Sequence, residues 1–224
     1  MLALYGHLFS SYTWKALIPL YANGTEFEFR PLDGDHPENS AFVAAAHPAG
    51  KFPVLTDGGV TVVEATGIVE YLAVHHPGPA PLIPAEPAIA ATARMLDHVF
   101  DNYVMGNLQR IVAAYFNDKD NPGAGGMRAH PDEVEIAAGK ARLRQAYAWL
   151  ERWLEGNRLP PHVSIVTCAA APSLFYADWV ERIPEGSRLA ALRAELLALP
   201  AVSRCVEDAR PMRGYFPPGA PDRD

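Results

Sequence analysis

The spacing of apolar and polar positions changes along the chain near residue 80. Before it, short strand-like runs alternate with helical stretches. Leu2 to Tyr5 predicts a strand. Ser10 to Ala22 has a helical period and is stopped by Asn23-Gly24. In Thr25 to Arg30, Phe27 and Phe29 alternate with Glu26 and Glu28, the pattern of a half-buried strand. Glu38 to Ala46 predicts a short helix. Pro53 to Thr56 and Val60 to Val63 predict two strands joined by the turn Asp57-Gly58-Gly59. Glu64 to His75 predicts a helix with Ile68, Tyr71 and Leu72 on one face. The order is βαβαββα.

The stretch HPGPAPLIPAEP carries five prolines between His76 and Pro87. Such density forbids a helix and predicts a stiff, extended connection. Beyond it the spacing is helical throughout. Ala88 to about Phe116 predicts one long helix, with Leu96, Phe100, Tyr103, Ile111 and Tyr115 as its stripe. NDKDNPGAGG reads as a loop. Pro131-Asp132 opens a second long helix reaching Glu155, with the stripe Ile136, Leu143, Tyr147, Leu150 and Leu154. Ser164 begins an alanine-rich buried helix to about Val180. Arg188 to Leu197 and Val202 to Arg210 predict two shorter ones. The tail PPGAPDRD reads as loose. Pro19 is expected to kink or shorten the first helix, because it lacks an N–H and clashes with the preceding turn.

Composition narrows the function classes. The chain has 224 residues, 49% hydrophobic and 20% charged, enough for a sizeable core. Its net charge of −7 argues against a nucleic-acid partner. The two cysteines, Cys168 and Cys205, make no CxxC and fit reduced thiols in the cytoplasm. MLALYGHLF has no charged start or cleavage site of a signal peptide, and no apolar run approaches the ~20 residues that span a bilayer. The expectation is a cytoplasmic protein with no membrane contact. No HExxH or GxSxG is present, and GAGGMR lacks the strand and helix context of a phosphate loop. Asp97, His98 and Asp101 read as a solvated helix face rather than metal ligands. No metal is expected.

Four fragments in this order and spacing carry a family resemblance: LYGHLFSS (4–11), HPAGKFPVL (47–55), VVEATGIVEYL (62–72) and SIVTCAAAPSLFYADWV (164–180). The chain resembles a serine-type, bacterial-like cytosolic glutathione S-transferase over nearly its whole length. That resemblance implies an α/β thioredoxin-like N-terminal domain (1–78), a proline-rich linker (79–87) and an all-α helical-bundle C-terminal domain (88–224). It also implies glutathione as co-substrate and a homodimer.

The resemblance gives roles to particular residues. Pro53 heads a strand, an unusual place for a residue without an N–H. In the family that proline follows a cis bond, which turns the backbone of Phe52 outward to pair with glutathione like an added strand. Ser10 matches the hydroxyl that holds the glutathione thiolate. From the residues alone it reads first as a plain N-cap serine, and the resemblance favours the thiolate role. Ser11 is the alternative if the loop shifts by one residue. Tyr5, a second alternative, reads better as packed in the sheet. Glu64 matches the carboxylate that binds the γ-glutamyl amino group. Its neighbour departs from the family's pattern: Ala65 stands where a serine is usual. That predicts weaker glutathione binding, with Thr66 a partial replacement. Lys51, and less well His36, would serve the glycyl carboxylate. Leu8, Phe9, Tyr103, Asn107 and Arg110 would line the electrophile pocket. In the second domain Ser164 would cap its helix, with Thr167 a weaker partner than the family's aspartate.

The function implied is conjugation of glutathione to a small hydrophobic electrophile. Its alternatives are a glutathione-dependent isomerase or dehalogenase, and a non-catalytic glutathione- or ligand-binding module of the same fold.

Overall fold

Leu2 and Leu4 join one apolar core, and Ala3 and Tyr5 another, so the two-residue period of a strand divides the start of the chain between two layers. The computed structural model describes residues 1–116, 127–128 and 130–224. Its first part runs β1 (Ala3–Gly6), α1 (Ser11–Asn23), β2 (Glu28–Pro31), α2 (Pro37–Ala46), β3 (Val54–Asp57), β4 (Val60–Val63) and α3 (Ala65–His75). The sheet order is β2-β1-β3-β4. β2 runs parallel to β1, while β3 and β4 are antiparallel to their neighbours. Leu4 sits between Phe29 and Leu55 in register.

Helices cover both faces. Leu4 and Leu55 share a core with Trp14 and Leu17 of α1 and Ile68 and Leu72 of α3. Ala3, Tyr5 and Val54 pack with Val43 of α2. The Tyr5 ring stacks on Phe42 at 4.5 Å, so its packing in the sheet accounts for it. α1 ends where Asn23-Gly24 predicts, at a left-handed Gly24 with φ 63°. Pro19 does not end it early: the helix continues through Pro19 to Asn23, with Pro19 buried. Tertiary packing there outweighs the lost hydrogen bond.

From Pro87 onward the chain is helical, with α4 (Pro87–Val99), a π-helical segment (Phe100–Met105), α5 (Gly106–Ala113), α6 (Glu133–Trp153), α7 (Ile165–Val180), α8 (Arg188–Leu197), α9 (Pro200–Ala209) and a 3₁₀ turn (Arg210–Tyr215). The expected single helix to Phe116 is therefore interrupted. Leu96, Phe100, Val104, Met105, Leu108 and the expected Ile111 are among its buried positions, while Tyr103, placed in the core stripe by a 3.6-residue period, is 60% exposed. A π turn holds more residues than an α turn and shifts every later side chain around the axis. The expected loop NDKDNPGAGG lies outside the described residues.

Asp132 caps α6 by accepting from the Glu135 N–H at 3.0 Å, and the whole expected stripe of that helix is buried. α7 is buried from Ile165 to Trp179 and packs against α1 through Trp14, whose ring lies 4.9 Å from Phe175 and 5.2 Å from Tyr176. Thr167 does act at its N-terminus: its hydroxyl accepts from the Ser164 N–H at 3.1 Å. The tail is not loose. Arg223 pairs with Asp178 of α7, and Asp224 pairs with Arg210 at 2.8 Å and Arg213 at 3.2 Å. Among the described residues no helix is long and apolar enough to cross a membrane, and no group of three His, Cys, Asp or Glu could hold a metal ion.

Gly139 marks the crossing of α6 on α5. A Cβ there would lie 2.5 Å from Ile111 Cγ1 and 3.1 Å from its Cδ1. Gly139→Ala is therefore expected to lower stability by about 1–3 kcal/mol, the usual cost of overpacking a core. Urea unfolding of the variant measures it, and an unchanged midpoint would mean that Ile111 repacks freely.

Candidate active site

The loop after β1 turns sharply into α1. Ser10 N–H donates to the His7 carbonyl at 2.9 Å, and the Trp14 indole N–H donates to the Leu8 carbonyl at 2.6 Å. These bonds set Ser10 as the N-cap of α1 in extended conformation, φ −89° and ψ 126°. Its Oγ accepts from the Thr13 N–H at 3.3 Å. The cap is thus real, yet it uses only a lone pair: the hydroxyl proton is left to donate elsewhere. The positive end of the α1 dipole lies at the same place.

Ser10 borders a cavity of about 290 Å³ between the sheet and the later helices. Phe9, Ser11 and Phe52 form its near side; Leu108, Val112 and Phe116 come from the other side, and Tyr215 and Phe216 close it. Phe9 meets Tyr176 edge-on at 5.4 Å and Phe216 at 6.3 Å. Most of these walls are aromatic or aliphatic.

The second part of the site lies along β3 and α3. The Phe52–Pro53 peptide is cis. Phe52 is 38% exposed, Pro53 is buried, and β3 pairing starts at Val54. Lys51 is exposed. Glu64 stands just before α3 with φ 68°, the one positive φ outside glycine among the described residues. That left-handed conformation is costly for a side-chain-bearing residue, and such outliers cluster at functional sites. Its side chain is 74% exposed, and its Oε1 lies 3.1 Å from His47 Nε2. His47 Nδ1 accepts from the Ala49 N–H at 3.0 Å, so its proton is on Nε2 and is donated to Glu64. Ala65 follows as the first residue of α3, 6% exposed.

Several expected residues stand elsewhere. Leu8 packs against the main core and does not border the Ser10 cavity. Tyr103, Asn107 and Arg110 line a different cavity, of about 880 Å³, with Tyr12, Asp101, Arg142 and Trp149. The cause is the π segment: it moves the cavity-facing positions on by about one residue, so that Leu108 and Val112 border the Ser10 cavity in place of Asn107. His36 pairs with Asp33 at 2.7 Å on an exposed loop. Thr66 cannot replace a serine at Ala65, because its hydroxyl receives the Lys15 ammonium at 2.7 Å and donates to Asp97 at 3.0 Å.

Asp97 and Asp101 do not form a solvated face. The Asp97 side chain is 1% exposed, with Oδ1 2.6 Å from Lys15 Nζ, and Asp101 Oδ2 lies 2.5 Å from the same nitrogen. One buried lysine of α1 therefore ties α3, α4 and the π segment together. Burial raises the Asp101 carboxyl pKa above the usual carboxylate range, and the Lys15 charge works against that rise. Tyr12, beside the same cluster, is pushed up to about 12 by burial first and then by Asp101 and Glu64, so it stays protonated.

His7, His47 and Lys15 were not assigned from sequence. The signals existed. His47 opens the HPAGKFPVL motif, and Lys15 is the one charge within an otherwise apolar helical run.

Comparison with known proteins bears on this geometry. Residues 4–80 match the family model described as glutathione S-transferase, N-terminal domain. Residues 4–80 are thus a glutathione S-transferase N-terminal domain. A solved glutathione S-transferase from Methylobacterium radiotolerans, in complex with glutathione sulfonate, superposes with a TM-score of 0.66 at 26% identity, over 92% of this chain and 94% of that one. Glutathione S-transferase 1 of Dianthus caryophyllus is 27% identical over 163 residues, which is 69% of this chain and 65% of the relative. Maleylacetoacetate isomerase of Mus musculus is 32% identical over 97 residues, 42% of this chain and 44% of the relative. The chain thus spans less than two thirds of these two curated relatives. The architecture is that of the family: a thioredoxin-like sheet with its helices, followed by a mostly helical remainder.

Proposed function

We propose that this protein is a serine-type glutathione transferase that conjugates the glutathione thiolate to a small hydrophobic electrophile. The observation that carries the reading is Ser10, an N-cap whose hydroxyl proton is uncommitted, at the edge of an apolar cavity. Glutathione would lie along Phe52 and Pro53, with its γ-glutamyl end between Glu64 and the N-terminus of α3. Ser11 and Lys51 stand beside that path. The electrophile would enter between Phe9 and Leu108.

The chemical task is to hold a thiolate whose free thiol ionises near 8.5 or higher. A helix N-terminus contributes roughly 0.3–1 kcal/mol. A hydrogen bond to a charged group contributes roughly 1.5–3 kcal/mol. At 1.36 kcal/mol per unit these lower the thiol pKa by about one to three units, enough to populate the thiolate at neutral pH. The thiolate sulfur then attacks the electrophile. The proposal includes a cytoplasmic homodimer, and sedimentation of the purified protein would test the dimer.

A panel of electrophiles assayed with glutathione tests the reading. Conjugation of at least one, dependent on Ser10, supports it. Turnover of maleylacetoacetate without net glutathione consumption would favour isomerisation, the activity named for the mouse relative. Glutathione binding without any turnover would favour a non-catalytic module, a reading motivated by Ala65.

Ala65→Ser is expected to tighten glutathione binding. It adds a hydroxyl in the first turn of α3, where the γ-glutamyl carboxylate would sit. Thr66 is committed to Lys15 and Asp97, so nothing from that side chain supplies the contact now. The gain should be a few-fold to about tenfold after displacing water. Calorimetric titration of both forms decides it, and equal affinity would mean that another donor already serves the carboxylate.

A further inference from the structure

The Ser10 cavity contains one half-buried polar side chain to which the thiolate scheme gives no task. His7 borders it, three residues before Ser10. The His7 ring accepts the Phe9 N–H at Nδ1, 3.2 Å away. An imidazole that accepts at Nδ1 carries its proton on Nε2, and it must be neutral, since the imidazolium has no acceptor. Burial acts in the same direction: it lowers the His7 pKa, with Asp33 opposing more weakly. His7 therefore offers a neutral N–H donor.

Apart from Ser11, buried and the alternative to Ser10 for the sulfur, the other polar groups on the cavity wall are engaged or exposed. The Tyr176 hydroxyl donates to the Phe9 carbonyl at 2.9 Å. The Gln109 amide donates to Met105 Sδ at 3.7 Å. Tyr215 is largely exposed. Ser10 is assigned to the sulfur. The remaining walls are Phe9, Phe52, Leu108, Val112, Phe116 and Phe216. An aryl electrophile fits such walls, and a carbonyl buried with it requires a donor, because an unpaired buried oxygen is costly.

We propose that His7 Nε2–H donates to the carbonyl oxygen of an aryl-substituted α,β-unsaturated ketone or aldehyde, making His7 a catalytic residue for conjugate addition. The proposal rests on the conjugation reading above. The sulfur lone pair forms the S–C bond at the β-carbon. The C=C π pair moves onto the carbonyl oxygen, where His7 Nε2–H stabilises the enolate. A solvent proton, equivalent to the one released on thiol ionisation, then ends on the α-carbon. No group leaves. Displacement of halide from benzyl chloride develops no such oxyanion and does not use His7.

The test compares benzylideneacetone, an aryl enone, with benzyl chloride. In His7→Phe the ratio of kcat/KM for benzylideneacetone to that for benzyl chloride should fall about 10- to 100-fold, the loss of one donor to a developing oxyanion. His7→Gln, whose amide N–H stands near the position of Nε2–H, should restore most of the ratio. An unchanged ratio in His7→Phe, or a ratio not restored by Gln, overturns the proposal. A second arm needs no turnover. Nitrogen-resolved NMR of the wild-type protein with glutathione should show His7 protonated on Nε2, its signal moving on addition of benzylacetone, the saturated ketone, but not of butylbenzene. A proton on Nδ1, or no response to the ketone, overturns it too. If neither electrophile reacts with the wild type, the conjugation reading fails, and the NMR arm still decides the role of His7.

Discussion

Lys15→Met is expected to destabilise the protein by about 3–5 kcal/mol, the loss found when one partner of a buried ion cluster is removed. The Lys15 ammonium lies 2.6 Å from Asp97, 2.5 Å from Asp101 and 2.7 Å from the Thr66 hydroxyl. Methionine keeps the length of the stem and much of its packing, so the change isolates the charge. Without the cation, Asp97 is an uncompensated carboxylate in the core, and Asp101 faces it across the same gap. Both must take up protons or draw in water, and either costs free energy. The effect should depend on pH. Asp101 has a folded-state pKa above its unfolded value, so the penalty of its charge is fully present above the folded pKa and is relieved as pH falls through it. Removing Lys15 takes away the main influence holding that pKa down. The deficit of the variant should therefore be larger at pH near 7.5 than near 5. Urea unfolding at the two values measures it. A deficit below about 1 kcal/mol, or one that grows on acidification, would mean that the cluster does not carry charge as described.

Ser10→Ala is expected to lower conjugation kcat by about 10- to 150-fold with little loss of glutathione affinity, the consequence of removing one hydrogen bond to a charged group. The split between kcat and binding follows from the chemistry. Of the tripeptide, the hydroxyl would meet only the sulfur, and it would interact more strongly with the thiolate than with the thiol. Contacts with the rest of the tripeptide would come from Phe52, Glu64 and the N-terminus of α3. Ser10 also caps α1 through the Thr13 N–H, so alanine should cost about 1 kcal/mol of stability. Ser10→Gly, with a smaller capping loss, separates the two effects. Steady-state kinetics under saturating glutathione gives the answer. Unchanged kcat in Ser10→Ala, with a collapse in Ser11→Ala, would move the role by one residue. Ser11 is buried at the first turn of α1 and borders the same cavity.

The strands and most helix limits were legible because each rests on local signals. Phe27 and Phe29 alternate with glutamates, Gly24 and Gly58 supply left-handed turns, and Ser187 caps α8 by accepting from the Ala190 N–H. The candidate site was legible only in part. Ser10, Phe52 and Glu64 belong to local motifs: Ser10 caps α1, Phe52 precedes the cis peptide, and Glu64 stands just before α3. The far wall is a long-range feature. A helical period of 3.6 residues points to Tyr103, but the π segment Phe100–Met105 resets the later positions, leaving Tyr103 exposed and Val104 and Leu108 buried. Lys15 could not be paired in advance, because Asp97 and Asp101 lie more than eighty residues away and nothing local shows what covers them. For the same reason, the tail read as loose: its anchor, Asp178, is on another helix.

In the proposed mechanism Ser10 and the N-terminus of α1 hold glutathione as a thiolate. Titration of the ultraviolet thiolate absorbance of the glutathione complex, in the wild type and in Ser10→Ala, tests it most directly. The expected bound-thiol pKa lies about one to three units below that of free glutathione in the wild type, and rises by about one to two units in the variant. A bound thiol that titrates like free glutathione in the wild-type complex would contradict it.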